Sequence, residues 1–206
     1  NAICGGRTSF CYSLQEANFF IMKYFNHLLS FDNKTGILEV ESGVLLEDIL
    51  KTFLPKGWFP YVTPGSKFVT IGGLIAADVH GKNHHKDGSF RNFVEWFELI
   101  DSKGEIKKCS KNENSELFEW TIGGMGLTGV IIRAAIKLRP IETCWIKQKT
   151  LVAKNIDQTF EFFEKNTISM KYFNHILSFD DNSGVLVVET GILLDDIINT
   201  FLPKGW

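Results

Sequence analysis

A 37-residue segment occurs twice in this chain of 206 residues. Residues 22–58 read MKYFNHLLSFDNKTGILEVESGVLLEDILKTFLPKGW, and residues 170–206 read MKYFNHILSFDDNSGVLVVETGILLDDIINTFLPKGW. The copies agree at 26 positions, at an offset of 148. A period that long excludes a solenoid, whose units run to roughly 20–50 residues. Differences such as Leu28 against Ile176 and Glu47 against Asp195 are conservative and mark a diverged copy. Each copy therefore has to satisfy the same local rules. A turn is expected over 32–36, and the apolar alternation over 37–41 predicts a strand. Leu45, Ile49, Leu50 and Phe53 have helical spacing, stopped by Pro55 and Gly57. The unit reads as scaffold, and only the first copy runs on into a glycine-rich region.

Beyond Trp58 the pattern keeps switching period. Residues 59–63 read as short and extended, closed by Pro64-Gly65. Strands are expected over 93–100 and 105–109, joined by a turn at 101–104. A short helix is expected over 115–120, capped by Asn114 or Ser115. The β-branched run over 130–138 predicts a strand ending at Pro140, and 156–165 predicts a helix after Asn155. Strands and helices so interleaved imply an α+β fold with several antiparallel pairs. Two parts are expected, 1–150 and 151–206, the latter being one helix plus the second copy.

A net charge of −2 leaves no electrostatic footprint for nucleic acid or an anionic membrane surface. With 44% hydrophobic and 22% charged residues the chain is ordinary for a globular protein. No apolar run approaches the roughly 18–20 residues of a spanning helix. The chain begins at Asn1 with no basic-then-apolar leader, so no signal peptide is expected within this sequence. Cys4, Cys11, Cys109 and Cys144 show no CxxC spacing and read as reduced thiols of a cytoplasmic protein.

Eleven of the 18 glycines lie between Gly57 and Gly129, as expected of backbone that must approach something closely. Residues 124–129, GMGLTG, form a literal GxGxxG. A dinucleotide fingerprint must follow a strand and open a helix, and here the order is reversed, so that reading is rejected. Residues 64–90 carry five glycines and small residues at Ala76 and Ala77. Backbone N–H groups at Pro64-Gly65-Ser66 and over 70–73 are expected to be free for phosphate or flavin oxygens. Two tight turns flanking a buried strand are the plainer alternative. In His80-Gly81-Lys82-Asn83-His84-His85, zinc lacks a full ligand set, and Gly81 and Asn83 argue against a helix. A loop turning His80 and Lys82 toward an anionic or hydroxylated substrate is preferred to a merely solvated basic loop. Residues 2–10, AICGGRTSF, could make a phosphate-cradling turn.

Taken in order, GGRTS, LPKGW, PGS…VTIGG…HGKNHH and GMGLTGVI resemble the FAD-binding domain of vanillyl-alcohol-oxidase (PCMH-type) flavoproteins. The likeness covers residues 1–150 and is strongest to the decaprenylphosphoryl-β-D-ribose 2-oxidase family. It implies two α+β subdomains with FAD between them. By resemblance, Gly5, Gly6, Arg7, Thr8 and Ser9 match the first pyrophosphate loop. Pro64, Gly65 and Ser66 match a flavin-contact turn, and Thr70, Ile71, Gly72 and Gly73 the segment along the pyrophosphate. Ala76 and Ala77 fall where small residues let the backbone pass close to FAD. His80 and Lys82 match residues lining the substrate side, His80 also touching the cofactor. Gly129, Val130 and Ile131 match the edge that closes over it.

The family's first loop reads GRSYGD, whereas this chain has Gly6-Arg7-Thr8-Ser9-Phe10-Cys11. No flavin-tethering histidine stands there, so FAD is expected to be non-covalent. The resemblance also implies chain missing ahead of the first loop and a missing substrate domain that supplies the base. The function expected is FAD-dependent oxidation of a secondary alcohol of a sugar, on a small molecule or a lipid-phosphate-linked pentose. His80 and Lys82 are the candidate catalytic residues. A partner reductase and a cytoplasmic location, peripheral at the membrane, go with it. The alternatives are a catalytically inactive fragment and a metal-binding module using His80, His84 and His85.

Overall fold

The computed structural model describes residues 2–4, 19–145, 152–165, 176–180, 185–188, 200 and 203. Gly5, Gly6, Arg7, Thr8 and Ser9 lie outside the described residues. The chain divides into two compact units, Asn1–Val152 and Ala153–Trp206.

In the first unit, β1 (Ala2–Cys4) runs parallel to β2 (Phe19–Ile21). The first copy of the repeat then forms an antiparallel hairpin of β3 (Leu28–Asp32) and β4 (Ile37–Glu41). Its turn is set locally. The Asp32 carboxylate accepts the Lys34 N–H and the Thr35 hydroxyl, each at 2.8 Å. Gly36 closes it at φ +75°, where a Cβ would stand 2.5 Å from the Leu138 carbonyl oxygen. The helix α1 (Leu46–Phe53) buries Leu46, Ile49 and Phe53 and stops in a 3₁₀ turn at Pro55. Then come β5 (Trp58–Pro60), α2 (Ile71–Ala76), α3 (His84–Asp87), β6 (Val94–Ile100), β7 (Ile106–Ser110), α4 (Ser115–Thr121) and β8 (Val130–Pro140).

The main sheet is antiparallel in the order β3-β4-β8-β6-β7, and β5 pairs with the far end of β8. Strand β8 is the spine: β4 flanks it along 133–137 and β6 along 130–136. Ala134, Ile136 and Leu138 alternate into the core while Arg133 and Lys137 face out. The register slips at Ile132, where Glu98 pairs with Arg133 but Leu99 with Ile131. That bulge lets Ile131 also face inward and leaves the Ile132 carbonyl to accept the Ser42 N–H. One core unites the sheet residues Leu38, Val40, Phe97 and Leu99 with α1, α2 and Phe118 of α4. Phe97 and Phe118 stack at 5.2 Å between centroids. The fold is thus α+β on an antiparallel sheet.

In the second unit, α5 (Ile156–Lys165) begins where the Asn155 side-chain oxygen accepts the Gln158 N–H at 2.9 Å. The second copy forms an antiparallel hairpin of β9 (Ile176–Asp180) and β10 (Val185–Val188). No helix among the described residues is long and apolar enough to cross a membrane.

Two elements differ from expectation. Residues 71–76 are helical rather than a strand between turns, and 84–87 make a single helical turn despite Gly81 and Asn83. Asn114 does stand at the N-cap of α4, as expected, but its side chain makes no capping bond. Asn114 sits at φ +46° and donates its side-chain amide to the Lys108 carbonyl at 2.7 Å.

Candidate functional site

Helix α2 carries two glycines in its first turn, which alone would disfavour it by about 1 kcal/mol each. Three contacts hold it. The Thr70 hydroxyl accepts the Gly73 N–H at 3.2 Å, the Val44 carbonyl accepts that of Ile71, and the Ser42 carbonyl that of Gly72. A Cβ on Gly72 would come within 3.0 Å of the Ser42 Cβ, so glycine permits the approach. The amides over 71–73 expected to be free are therefore engaged inside the protein. Among the described residues, the N–H groups of Gly65 and Ser66 have no hydrogen bond, and both residues are exposed. Outward, α2 shows Gly73 and Ala77, exposed, beside half-buried Gly72 and Ala76. Thr70 and Ile71 are buried.

The chain leaves α2 through Asp78 at φ +41°. Its carboxylate accepts the Arg91 backbone N–H at 2.9 Å and Nε at 3.3 Å. The Val79 carbonyl then accepts the Phe90 N–H, and His80 bridges to Ser89. His80 and Lys82 are both exposed. Gly81 is buried, and a Cβ there would lie 2.8 Å from the Thr63 carbonyl oxygen. Asn83 donates to the Tyr61 carbonyl at 2.9 Å. The loop of His80 and Lys82 thus packs on the stretch leading into Pro64-Gly65-Ser66.

The third glycine segment meets α2 from the other side. Gly123 donates to the Ile75 carbonyl at 3.1 Å and Met125 to that of Ala76 at 2.8 Å. Met125 holds φ +53°, and Gly123 and Met125 are exposed. Helix α4 precedes these glycines and β8 follows, the order that excludes a dinucleotide fingerprint. Gly129, Val130 and Ile131 run into the β6–β8 ladder, opposite Ile100 and Leu99. A Cβ on Gly129 would stand 2.4 Å from the Ile100 carbonyl, so strand contact explains that glycine.

The structure therefore joins α2, His80 and Lys82, the stretch before Pro64, and the loop at 123–125. The His80 and His84 rings lie 5.2 Å apart. No group of three metal-ligating side chains occurs among the described residues, and the metal-binding reading of this loop is not supported. The residue that sequence reasoning missed is Arg91. It joins Asp78 to Glu119 and to the Ile122 carbonyl, 2.8 Å away. Nothing in its spacing marks it, because its partners lie 13 to 31 residues off.

Residues 2–110 match the family described as FAD binding domain. The chain is 41% identical over 142 residues to a decaprenylphosphoryl-beta-D-ribose oxidase of Mycolicibacterium smegmatis, covering 68% of this chain and 31% of that protein. It is 28% identical over 174 residues to cytokinin dehydrogenase 5 of Arabidopsis thaliana, covering 82% and 30%. It is 28% identical over 176 residues to the Delta(24)-sterol reductase of Mus musculus, covering 82% and 33%. The chain spans about a third of the length of these relatives.

Proposed function

Because this chain belongs to the FAD-binding-domain family of flavin-linked oxidoreductases, we propose that the joined glycine segments hold FAD for oxidation of a secondary alcohol of a sugar. The observation that carries this is the outward edge of α2. Gly73 and Ala77 put no bulk beyond a Cβ on the surface, and Gly123 continues that edge through its bond to Ile75. Such an edge lets a flat cofactor approach backbone, and the unengaged amides at Gly65 and Ser66 suit phosphate or carbonyl oxygens. The described residues fit FAD in this sense. Thr70, Ile71 and Gly72 would act by shaping α2, since their own groups are turned inward. Gly5, Gly6, Arg7, Thr8 and Ser9 enter the proposal on resemblance alone, as do Gly129, Val130 and Ile131.

Bound FAD supplies a two-electron acceptor for a hydride. The chain's own part is to place the substrate and handle charge. His80 and Lys82, exposed on the pinned loop beside α2, would polarise the hydroxyl or hold an anionic group of the substrate. A pentose carried on a lipid phosphate is the substrate class proposed, in keeping with the name of the M. smegmatis relative. Non-covalent FAD, a partner reductase, a cytoplasmic place at the membrane periphery and a base outside this sequence belong to the same proposal. So does the assignment of the flavin role to residues 1–150, with 151–206 apart from it.

The test is titration of the purified chain with FAD, followed by quenching of flavin fluorescence. Saturable binding is expected. Ala77→Leu adds bulk to the exposed edge and is expected to weaken FAD at least about tenfold while leaving the melting temperature in place. Failure of the unaltered chain to bind FAD overturns the reading. Binding that Ala77→Leu leaves untouched overturns the role of α2.

A further inference from the structure

We propose that Arg91 is a positioning residue, a cross-tie that holds the 123–125 loop against α2 in the geometry FAD requires; this rests on the flavin reading above. Arg91 lies in the 3₁₀ turn Phe90–Phe93, on neither of the segments it joins. At one end its backbone N–H and Nε grip both carboxylate oxygens of Asp78. Asp78 holds a left-handed φ of +41°, which an L residue adopts at a cost and which glycine would adopt freely. Gripping the carboxylate offsets that cost and fixes how the chain leaves α2 toward His80.

At its other end the same guanidinium donates to the Glu119 carboxylate, to the Glu119 carbonyl at 3.5 Å and to the Ile122 carbonyl at 2.8 Å. Ile122 is the residue before Gly123, whose N–H reaches back to Ile75. The tie therefore closes a ring: α2, Asp78, Arg91, Ile122, Gly123 and α2 again. Only a forked, always-charged donor spans it, since a carboxylate and a carbonyl from different segments must be met at once. Two thirds of the Arg91 side chain is covered, so these bonds are partly shielded from competing water. The loop it steadies needs steadying. Met125 also sits at positive φ, and Gly123, Gly124 and Gly126 give that stretch little rigidity of its own.

The experiment compares the full chain with Arg91→Ala and Arg91→Lys by three readouts: hydrogen exchange at the Gly123 and Met125 amides, FAD affinity by fluorescence quenching, and visible circular dichroism of the bound flavin. In Arg91→Ala, exchange at both amides is expected to rise at least about tenfold, FAD affinity to fall by about the same factor, and the flavin dichroism to change. Arg91→Lys keeps the charge beside Asp78 but has no fork to reach Ile122. It is expected to fold and to show at least about threefold weaker FAD. If Arg91→Ala does not fold, Arg91→Lys decides alone. Unchanged exchange, affinity and dichroism with only a lowered melting temperature would make Arg91 a brace of the fold and overturn the proposal. Exchange is read without cofactor, so a chain that fails to bind FAD defeats the flavin reading while this arm still decides the cross-tie.

Discussion

The two copies of the repeat build the same hairpin and meet different surroundings. In the first, Asp32 pairs with Ile37, Phe31 with Leu38, Ser30 with Glu39, and the register then slips so that Leu28 meets Val40. In the second, Asp180 pairs with Val185, Phe179 with Leu186, Ser178 with Val187, and Ile176 with Val188 after the same slip. Every pair corresponds at the offset of 148, including the bulge that leaves Leu29 and Leu177 without a counterpart. Register and bulge are thus written locally, in the turn and the alternation, and survive substitutions such as Ile37 to Val185. Burial is not. Strand β4 lies against β8, and Leu38 and Val40 are fully buried. Among the described residues β10 pairs with β9, and Leu186 is only half-buried. A hairpin is a property of its sequence; a core position is a property of what the hairpin is given to pack on.

The largest effect that tests this contrast is at the matched leucines. Leu38→Ala opens a cavity in the core beneath β4 and is expected to cost about 2–5 kcal/mol. Leu186→Ala removes the same atoms from a half-exposed site and is expected to cost less than about half of that. Denaturant unfolding of both variants decides it. Equal losses would break the comparison, because the second hairpin would then be held in a core as the first is. A smaller effect is expected where the copies differ in charge. Glu39 faces Ala135 across the ladder, near Arg133, whose guanidinium is already bonded to Glu98 at 2.6 and 2.7 Å. Glu39→Val, the residue the second copy carries, is expected to move stability by no more than about 0.5 kcal/mol. A loss above about 1 kcal/mol would show that the first copy depends on that charge.

The same division between local and tertiary explains what could be read in advance. Helix α1 was legible because Leu45, Ile49, Leu50 and Phe53 stand at helical spacing and Pro55 stops them, although the face it buries is that of Leu46, Ile49 and Phe53. The β6–β7 hairpin was legible because Asp101 and Gly104 mark its turn. There the Lys107 ammonium bonded to the Asp101 carboxylate holds its pKa down to about 2. Helix α2 was not legible, because Gly72 and Gly73 argue against a helix and what holds it comes from the carbonyls of Ser42 and Val44, some 30 residues earlier. The bulge at Ile132 left no mark either. The site divides in the same way. Its glycine segments stand out as strings, but their meeting is made by long-range bonds from Gly123 to Ile75 and from Arg91 to Asp78 and Ile122. Neither end of such a bond carries a local signature.

The finest test lies in the turn of the first hairpin. The Lys34 N–H and, after it, the Thr35 hydroxyl hold the Asp32 carboxyl below its ordinary value of 3.8. A carboxylate whose folded pKa is depressed adds stability that is complete above the unfolded pKa and is lost as pH falls through the folded one. Asp32→Asn is therefore expected to be less stable than the unaltered chain at pH 7. The difference should shrink as pH drops below about 4 and vanish once Asp32 is protonated in both states. The second copy keeps the aspartate as Asp180 and a hydroxyl as Ser183, but has Asn182 for Lys34. Since it is the backbone N–H of residue 34 that leads, Lys34→Asn is expected to leave the Asp32 titration in place, and Thr35→Ser to move it little. Thr35→Ala should raise it toward 3.8. Carboxyl-carbon NMR titration of Asp32 in these variants is the measurement. If Lys34→Asn moves the titration more than Thr35→Ala does, the side-chain charge and not the turn geometry governs Asp32. The substitution of Asn182 for Lys34 would then matter to the second copy, even though the strands of the two copies share one register.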